Sequence, residues 1–530
     1  MAAMLQARTG MARQIRINQG VLIALSVFVS AFALYVRTGA PSVLSGDQAE
    51  HQFTAWIWGV PHATGYPLFT MLNGLAAHLI PFGDVARRVN LMVALYSALA
   101  VLMAYSVTLR LTARRGPALV VAATIAFAPE FWHLATIAEV YTLQVFFIFA
   151  TLGAVLRWWQ LESTESDLGI TRRGLRHPLA LASFLAGLGA THHGSFTPVV
   201  GPALLLTVAA PLLARLRFPE QRRIVLRLVG RALGWAALGF APWLYLAVQF
   251  MLFRPFDYYH AAVFPYHLYW GNPQSWGDVL NLALGAGFRL KVFTHGWGRL
   301  PDLLPTYIAQ LRYQVWWPGI ALGVLGAITA WRRSWRLGVW TTLVWLGGSF
   351  FGLNVAADVP KAHVYYLPAW MVWALWIGLG VATLARFLDR ASISRLLTPR
   401  LRSSSALAIT GVLLLVPIAI GLYRFERMDR SGEWHFREDA RATLEYVAPD
   451  AVILCRWEDC MTLRYVQFVE SRRLDVQLDQ TEPEVGISWA DRVPLYPAHP
   501  VYAIQFNEQL NQTYGLLPVE SVPRLWQVRQ

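Results

Sequence analysis

Asp47 and Glu50 lie three residues apart in a polar stretch that follows the first apolar run of the chain. If this stretch is helical, both carboxylates lie on one helix face, because residues at i and i+3 are neighbours there. Such a pair suits a general base with a second carboxylate that supports it or binds a ligand. A solvated acidic loop can have the same spacing, so the spacing alone leaves both interpretations open.

Four further polar residues lie at the ends of apolar runs, where a binding site could form. Glu139 is costly in lipid and is expected to face the protein interior. His192 and His193 can donate hydrogen bonds to a bound ligand, or can make a structural hydrogen bond between helices. Lys361 lies in a short loop poor in positive charge, where an exposed loop lysine is the default and an anion ligand is the alternative.

The composition places these residues in a membrane protein. Of 530 residues, 56% are hydrophobic and only 14% are charged, whereas soluble chains carry about 25% charged residues. A membrane-spanning helix needs about 20 apolar residues, and the apolar runs predict about eleven spans. The runs are 20–35, 89–109, 117–132, 138–156, 178–192, 196–214, 229–252, 314–331, 337–353, 364–385 and 405–423.

The net charge of +14 follows from the loops between these spans. Every second short loop is rich in arginine, whereas the loops around 130–139, 191–195 and 354–363 carry one lysine and no arginine. Because basic residues concentrate in cytoplasmic loops, this asymmetry predicts that the N-terminus lies in the cytoplasm. We expect an integral protein of a bacterial-type plasma membrane. The asymmetry also removes the reason to expect a nucleic-acid partner.

Two domains are predicted. Residues 1–423 form the membrane domain, with a first outer loop at 37–88 and a further long outer loop at 254–312. Residues 424–530 form a small extracytoplasmic α/β domain, with strands at 451–455, 474–478 and 500–505 and a helix at 461–470. Cys455 and Cys460 lie in this tail; a local disulfide requires an oxidising compartment, and we expect two unpaired thiols.

The first outer loop carries a specific motif. It contains Gly-Asp and then Glu at 46–50, the turn His-Ala-Thr-Gly-Tyr-Pro-Leu at 62–68, and Arg-Val-Asn at 88–90. This run resembles the signature of a multi-span membrane family, formerly of unknown function, that is related to protein O-mannosyltransferases. Ala63 replaces the usual proline of the turn. Weaker similarity continues at 138–143, 192–193, 354–368, 457–459 and 469–473.

The resemblance implies an all-α polytopic membrane domain of the GT-C glycosyltransferase fold, followed by the α/β domain. It implies a glycosyltransferase that takes a sugar from a polyprenyl-phosphate carrier at the extracytoplasmic face. Asp47 would be the general base that deprotonates the acceptor hydroxyl, and Glu50 would orient the acceptor or bind a metal, or would itself be the base. The implied substrate-binding residues are His62, Arg88, Glu139, His192, His193 and Lys361.

Several alternatives stay open from the sequence. His62 could instead shape its turn, and Arg88 could be an interfacial anchor. The sugar is expected to be a mannose-like hexose, and the acceptor could be a protein, lipid or polysaccharide. No cofactor is expected apart from the lipid-linked donor, although a divalent metal stays open. A transporter or lipid flippase, for which we find no internal repeat, and a non-catalytic scaffold are the competing functions.

Overall fold

A computed structural model describes residues 2–165, 167–253, 268–287, 298, 300–354, 362–390, 399–481 and 488–529. Lys361 and two stretches of the predicted outer loop, 254–267 and 288–297, lie outside these residues.

In the described part of the first 423 residues, all secondary-structure elements are helices apart from one isolated β-bridge between Val60 and Tyr269. The helices are α1 (Ala2–Thr38), α2 (Asp47–Ile57), α3 (Pro67–Leu79), α4 (Val85–Thr112), α5 (Arg115–Ala126), α6 (Pro129–Ala135), α7 (Tyr141–Thr164), α8 (Pro178–His192), α9 (Phe196–Leu204), α10 (Ala210–Ala214), α11 (Pro219–Gly239), α12 (Leu244–Phe253), α13 (Trp276–Ala283), α14 (Leu300–Arg333), α15 (Trp335–Leu353), α16 (Leu367–Arg390) and α17 (Pro399–Tyr423).

Within the described residues, six helical segments are long and apolar enough to cross a membrane. A seventh is added if α5 and α6, which bend by 66° at their junction, count as one span. The bend lies where Pro129, which has no N–H to donate, begins α6. Other predicted runs lie in shorter or kinked helices, such as α8 with 15 residues. The protein is thus an integral membrane protein, and the prediction of about eleven spans counts more runs than meet this length criterion.

The centre of the membrane part is formed by α7 and α16. In each of these spans 72% of the most apolar window is buried, compared with 11% in the span of α1. Large rings such as Trp158 on α7 and Trp370 on α16 are almost fully buried. The central helices therefore pack against protein on most sides, whereas α1 lies at the periphery.

The tail forms a small mixed sheet. Within the described residues its strands are β1 (Val452–Cys455), β2 (Gln477–Gln480), β3 (Val501–Ala503), β4 (Leu516–Pro518) and β5 (Trp526–Val528), in the order β2-β1-β3-β5-β4. The helices here are α18 (Phe425–Met428), α19 (His435–Tyr446), α20 (Trp457–Glu470), α21 (Trp489–Arg492) and α22 (Glu508–Tyr514). The predicted α/β pattern is confirmed.

Strand β1 is the most buried strand because its run of Val, Ile, Leu and Cys is apolar on both faces. It pairs in parallel with β2 and β3, whereas β5 runs antiparallel to β3 and β4. Strand β2 begins at Gln477, three residues later than predicted. Arg473 adopts a left-handed φ of 48° and accepts a hydrogen bond from the N–H of Val476, so a turn occupies that stretch.

The first outer loop packs directly on the tail. Phe53 of α2 and Phe468 of α20 meet edge to face, with ring centroids 5.6 Å apart. The hydroxyl of Thr462 donates to the carbonyl of Leu44 at 2.9 Å, and the N–H of Gly46 donates to the carbonyl of Glu458 at 3.2 Å. These contacts place the N-terminus of α2 beside the N-terminus of α20.

Candidate active site

Asp47 is the first residue of α2, and the residue is partly exposed. Gly46 precedes it with φ +60°, a conformation that residues with a Cβ rarely adopt. Helix N-termini favour negative charge because their N–H groups point outward. The indole Nε1–H of Trp457 donates to Oδ1 of Asp47 at 2.7 Å. Asp47 is therefore an accessible carboxylate held by a neutral donor from the tail.

Glu50, one turn further along α2, has a different environment. Its side chain is fully buried and accepts the backbone N–H of His62 at 3.0 Å. The other carboxylate oxygen makes an ion pair with Nδ1 of His62. Glu50 therefore holds the turn that carries His62, whereas Asp47 lies at the accessible end of the helix.

His62 carries a positive charge in this site. Burial alone would lower its pKa, but the charges of Glu50 and Asp47 and the hydrogen bond to Glu50 raise the pKa of His62 to about 9. In contrast, burial and the charge of His62 lower the pKa of His51 to about 3. One cationic and one neutral imidazole therefore lie side by side, with ring centroids 5.5 Å apart.

Aromatic rings surround His62. Trp457 lies edge to face with the imidazole at 5.9 Å, and Tyr66 does so at 5.4 Å. Trp270 contacts Trp457 edge to face at 5.1 Å. The backbone N–H of Trp270 donates to the carbonyl of Val60, and this bond joins the outer loop at 254–312 to the turn that carries His62. These contacts are compatible with a role of His62 in shaping its turn. They also place His62 among the residues of the candidate active site.

Glu139 joins this group from the segment between α6 and α7. Its side chain is buried, and Oε1 accepts the Nε2–H of Gln48 at 2.5 Å. Gln48 follows Asp47 directly, so the carboxylate of Glu139 lies close to the N-terminus of α2. The expectation that Glu139 faces the protein interior is in line with this burial.

The two adjacent histidines have different partners. His192 is fully buried, and its Nε2 lies 2.8 Å from the carbonyl of Val140, which precedes α7. His193 has its Nδ1 2.8 Å from the hydroxyl of Ser195. Its ring lies 5.9 Å from that of Tyr66, a neighbour of His62. His192 thus makes a structural hydrogen bond to the segment before α7, as in the structural alternative given in the sequence analysis. His193 lies near the candidate site.

Arg88 is not among the residues that the structure brings together here. Its Nη1 donates to the carbonyl of Ala77 at 2.8 Å and its Nε to that of Gly83 at 3.1 Å. These bonds satisfy the C-terminal end of α3 and the following turn. Asn90 from the same motif donates to the carbonyl of Ala40 and accepts from Gln52 of α2, both at 3.0 Å. Lys361 lies outside the described residues.

Trp457 was missed as a functional residue, although the motif similarity at 457–459 pointed to this segment. It lies between Cys455 and Cys460, which form a disulfide with a Cα–Cα distance of 5.4 Å. The expectation of two unpaired thiols is therefore wrong. The pairing is possible because β1 ends at Cys455 and α20 turns back over it, which brings two residues five positions apart into contact. The disulfide closes the loop that presents Trp457 to Asp47.

The arrangement has chemical consequences. An accessible carboxylate can take a proton from a hydroxyl bound next to it. The indole of Trp457 lies beside Asp47, the ring of Trp270 contacts that indole, and the buried imidazolium of His62 adds a positive charge. Among the described residues, no group of three or more His, Cys, Asp or Glu side chains is placed to hold a metal ion.

Comparison with known proteins confirms the resemblance found in the sequence. Residues 47–211 match the model of the protein O-mannosyl-transferase TMEM260 N-terminal domain. The chain is 25% identical over 488 residues to protein O-mannosyl-transferase TMEM260 of Mus musculus, covering 87% of this chain and 62% of the mouse protein. It is 21% identical over 480 residues to the Dictyostelium discoideum protein of that name, covering 85% and 56%. The chain thus spans less than two thirds of the length of these relatives.

Solved structures share the fold. ArnT from Cupriavidus metallidurans bound to undecaprenyl phosphate superposes with a TM-score of 0.57 at 14% identity, covering 96% of this chain and 98% of ArnT. The archaeal oligosaccharyltransferase AglB from Archaeoglobus fulgidus, in complex with an inhibitory peptide and a dolichol-phosphate, gives 0.52 at 13% identity, covering 93% and 70%. The predicted GT-C fold is confirmed.

Proposed function

We propose that this chain is a membrane glycosyltransferase that moves a mannose-like hexose from a polyprenyl-phosphate carrier to an acceptor hydroxyl, with Asp47 as the general base. The contact that carries the proposal is the one between Asp47 and Trp457. It fixes an accessible carboxylate at a helix N-terminus, in a fold shared with proteins whose structures contain polyprenyl phosphates. The names of the relatives favour mannose as the sugar and a protein as the acceptor.

The reaction is an inverting displacement. The acceptor hydroxyl passes its proton to a carboxylate oxygen of Asp47 while the acceptor oxygen forms a bond to C1 of the sugar. The bond between C1 and the phosphate oxygen breaks on the opposite face, and its electron pair leaves with the polyprenyl phosphate. Glu50 supports this geometry by holding His62, and Glu139 does so through Gln48.

We further propose that this chemistry takes place on the extracytoplasmic side. Asp47 and Trp457 are in contact, so the first outer loop and the tail share one side of the membrane. The arginine-rich loops favour the cytoplasm for the other side. A single cysteine introduced near Gln530, in a chain whose disulfide is intact, would be labelled in intact cells by an impermeant thiol reagent. Labelling only after lysis would reverse the orientation.

The decisive experiment measures sugar transfer by the purified chain from a radiolabelled polyprenyl-phosphate mannose. Asp47→Asn keeps the shape of the side chain but removes the base, so turnover should fall by about 10² to 10⁴-fold while donor binding is retained. Asp491→Asn makes the same change at an exposed tail position and serves as the control. If Asp47→Asn turns over normally, Asp47 is not the base; a Glu50→Gln variant that stays folded and binds donor but does not turn over would then assign the base to Glu50. If neither matters, a transporter or scaffold function replaces the transferase.

A further inference from the structure

A cavity of about 910 Å³ lies on the same side of the membrane as Asp47. Its walls come from α6, from the middle of α14 and from the segment that follows α17. Arg430, on its wall, donates its backbone N–H to the carbonyl of Thr38, the last residue of α1. The candidate catalytic residues Asp47, Glu50, His62 and Glu139 do not line it among the described residues. The described lining of the cavity is therefore distinct from the candidate active site.

The cavity is strongly basic. Its described lining includes Arg312, Arg424, Arg427 and Arg430, together with one acidic residue, Glu130. Arg430 is paired with Glu433 at 2.8 Å. Arg312 and Arg427 form no ion pair with a carboxylate anywhere in the described part of the chain, and Arg424 donates to the carbonyl of Tyr313 at 2.9 Å. Within that part of the chain, three guanidinium groups therefore share this wall without an acidic partner.

These cations are held close together despite their mutual repulsion. The guanidinium groups of Arg424 and Arg427 lie 4.2 and 6.0 Å from the centre of the same ring, that of Tyr313. Burial lowers the pKa of Arg424, and the charge of Arg427 lowers it further. Other arginines on this side are neutralised or bonded locally: Arg37 pairs with Asp429, and Arg87 donates to three backbone carbonyls. Like charges gathered in one cavity cost free energy that a bound anion offsets.

The cavity lies at the level where apolar helices end. Helix α14 is kinked at Trp316, which has φ 58°, two residues before Pro318; the apolar half of the helix begins there. Trp316 and Trp317 are 43% and 59% exposed, and Tyr423 at the end of α17 is 84% exposed. Exposed Trp and Tyr rings beside arginines are typical of the headgroup region of a bilayer. The cavity volume lies near the upper end of the range for small-molecule pockets, which is about 300–1,000 Å³. An inorganic anion would fill only a small part of it.

We propose that this cavity binds the phosphate group of a lipid, with Arg312, Arg424 and Arg427 as its ligands and Trp316 and Trp317 against the lipid chain. Two sources share this chemistry, a polyprenyl phosphate and a bilayer phospholipid. The proposal does not depend on sugar transfer, because it concerns binding outside the candidate catalytic group. It also differs from the expectation that Lys361 or Arg88 holds a phosphate.

The test is a binding titration of the detergent-solubilised full chain by native mass spectrometry with three probes: a polyprenyl phosphate, phosphatidylglycerol and inorganic phosphate. Each guanidinium–phosphate contact is worth about ten- to hundred-fold in affinity. The Arg312→Gln/Arg427→Gln variant should therefore bind at least one lipid at least about ten-fold more weakly. Arg332→Gln/Arg333→Gln makes the same change at the other end of α14 and should bind normally.

Preference for polyprenyl phosphate identifies a carrier site, and equal or tighter binding of phosphatidylglycerol identifies a bilayer-lipid site; both support the proposal. If inorganic phosphate binds as tightly as the lipids, or if the Arg312/Arg427 variant and its control bind lipid alike, the proposal is wrong. Should the glutamine variant unfold, Arg312→Lys/Arg427→Lys keeps both charges. This lysine variant should still bind lipid, but with lower affinity than the wild type. An unchanged affinity would show that the guanidinium groups do not contact the phosphate.

Discussion

The indole Nε1–H of Trp457 donates to Oδ1 of Asp47 at 2.7 Å, across 410 positions of the chain. Asp47 lies in the first outer loop, and Trp457 begins the helix that follows strand β1 of the tail sheet. The tail therefore contributes a side chain to the candidate catalytic group. A chain truncated before the tail would lose this contact as well as any contribution to acceptor recognition.

Trp457→Phe tests this contact directly. Phenylalanine keeps an aromatic ring against His62 but removes the N–H, and a lost hydrogen bond to a charged group costs about 1.5–3 kcal/mol. We expect turnover to fall by about 10- to 100-fold. Because the donor favours the charged carboxylate, its loss should also move the acidic limb of the rate profile to higher pH. Trp434→Phe, at a half-exposed tail position, is the control, and an unmoved acidic limb would contradict the role of Trp457.

The ion pair between Glu50 and His62 predicts a pH dependence of stability. The pKa of His62 is raised from 6.5 to about 9 in the folded chain, so protonation stabilises the folded state. The stabilisation should be fully present below about pH 6.5 and lost as the pH rises through about 9. Thermal unfolding of the purified chain between pH 6 and pH 10 measures this.

In Glu50→Gln the neutral side chain no longer favours the imidazolium, so the fall in unfolding temperature over this pH range should largely disappear. The variant should also be less stable at pH 6, since breaking a buried ion pair costs about 3–5 kcal/mol. A Glu50→Gln curve parallel to the wild-type curve would assign the pH dependence to other groups.

The disulfide between Cys455 and Cys460 predicts sensitivity to reduction. It closes the short loop that holds Trp457 against Asp47, and a loop of this size is stabilised by about 2 kcal/mol. Reductant should lower both the unfolding temperature and the transfer rate. Cys455→Ala/Cys460→Ala should behave like the reduced protein and be insensitive to reductant. Unchanged transfer by this double variant would separate the disulfide from the positioning of Trp457.

Arg88 and Lys361 predict opposite signatures. Arg88 donates to the carbonyls of Ala77 and Gly83, so Arg88→Gln should lower the unfolding temperature and leave donor binding unchanged. If Lys361 holds the carrier phosphate, Lys361→Ala should weaken donor binding by about one to two decades at unchanged stability. Donor titrations and thermal unfolding of both variants check the pair. Weakened donor binding in Arg88→Gln alone would exchange the two roles.

Much of the fold could be predicted from the sequence because it follows from local patterns. Apolar runs indicate the membrane helices, and the alternating apolar segments after residue 450 indicate the α/β tail. The positions of kinks were harder to predict. Within α14 the backbone turns to a positive φ at Trp316, and the nearby Pro318 is the sequence feature that indicates a break there. Strand β2 begins late because a turn at Arg473 precedes it, and β4 and β5, with three residues each, are too short to show a period.

The candidate site was predictable only in part. The spacing of Asp47 and Glu50 places both carboxylates in the first turns of α2, but it does not indicate that one is accessible and the other buried against His62. That difference arises from contacts with distant segments, including Trp457 and the turn at 59–66. The two cysteines illustrate the same point, because their pairing depends on the path of the chain from β1 into α20.

The packing of α2 against α20 sets an order of assembly during synthesis. Asp47 leaves the ribosome near the start of translation, whereas its hydrogen-bond partner is made 410 residues later. Every nascent chain that has not yet reached Trp457 therefore lacks this hydrogen bond to Asp47. Only after β1 and α20 have folded against that loop can the group reach its final geometry. The candidate catalytic group is therefore complete only after all the membrane helices, which end at Tyr423, have been made.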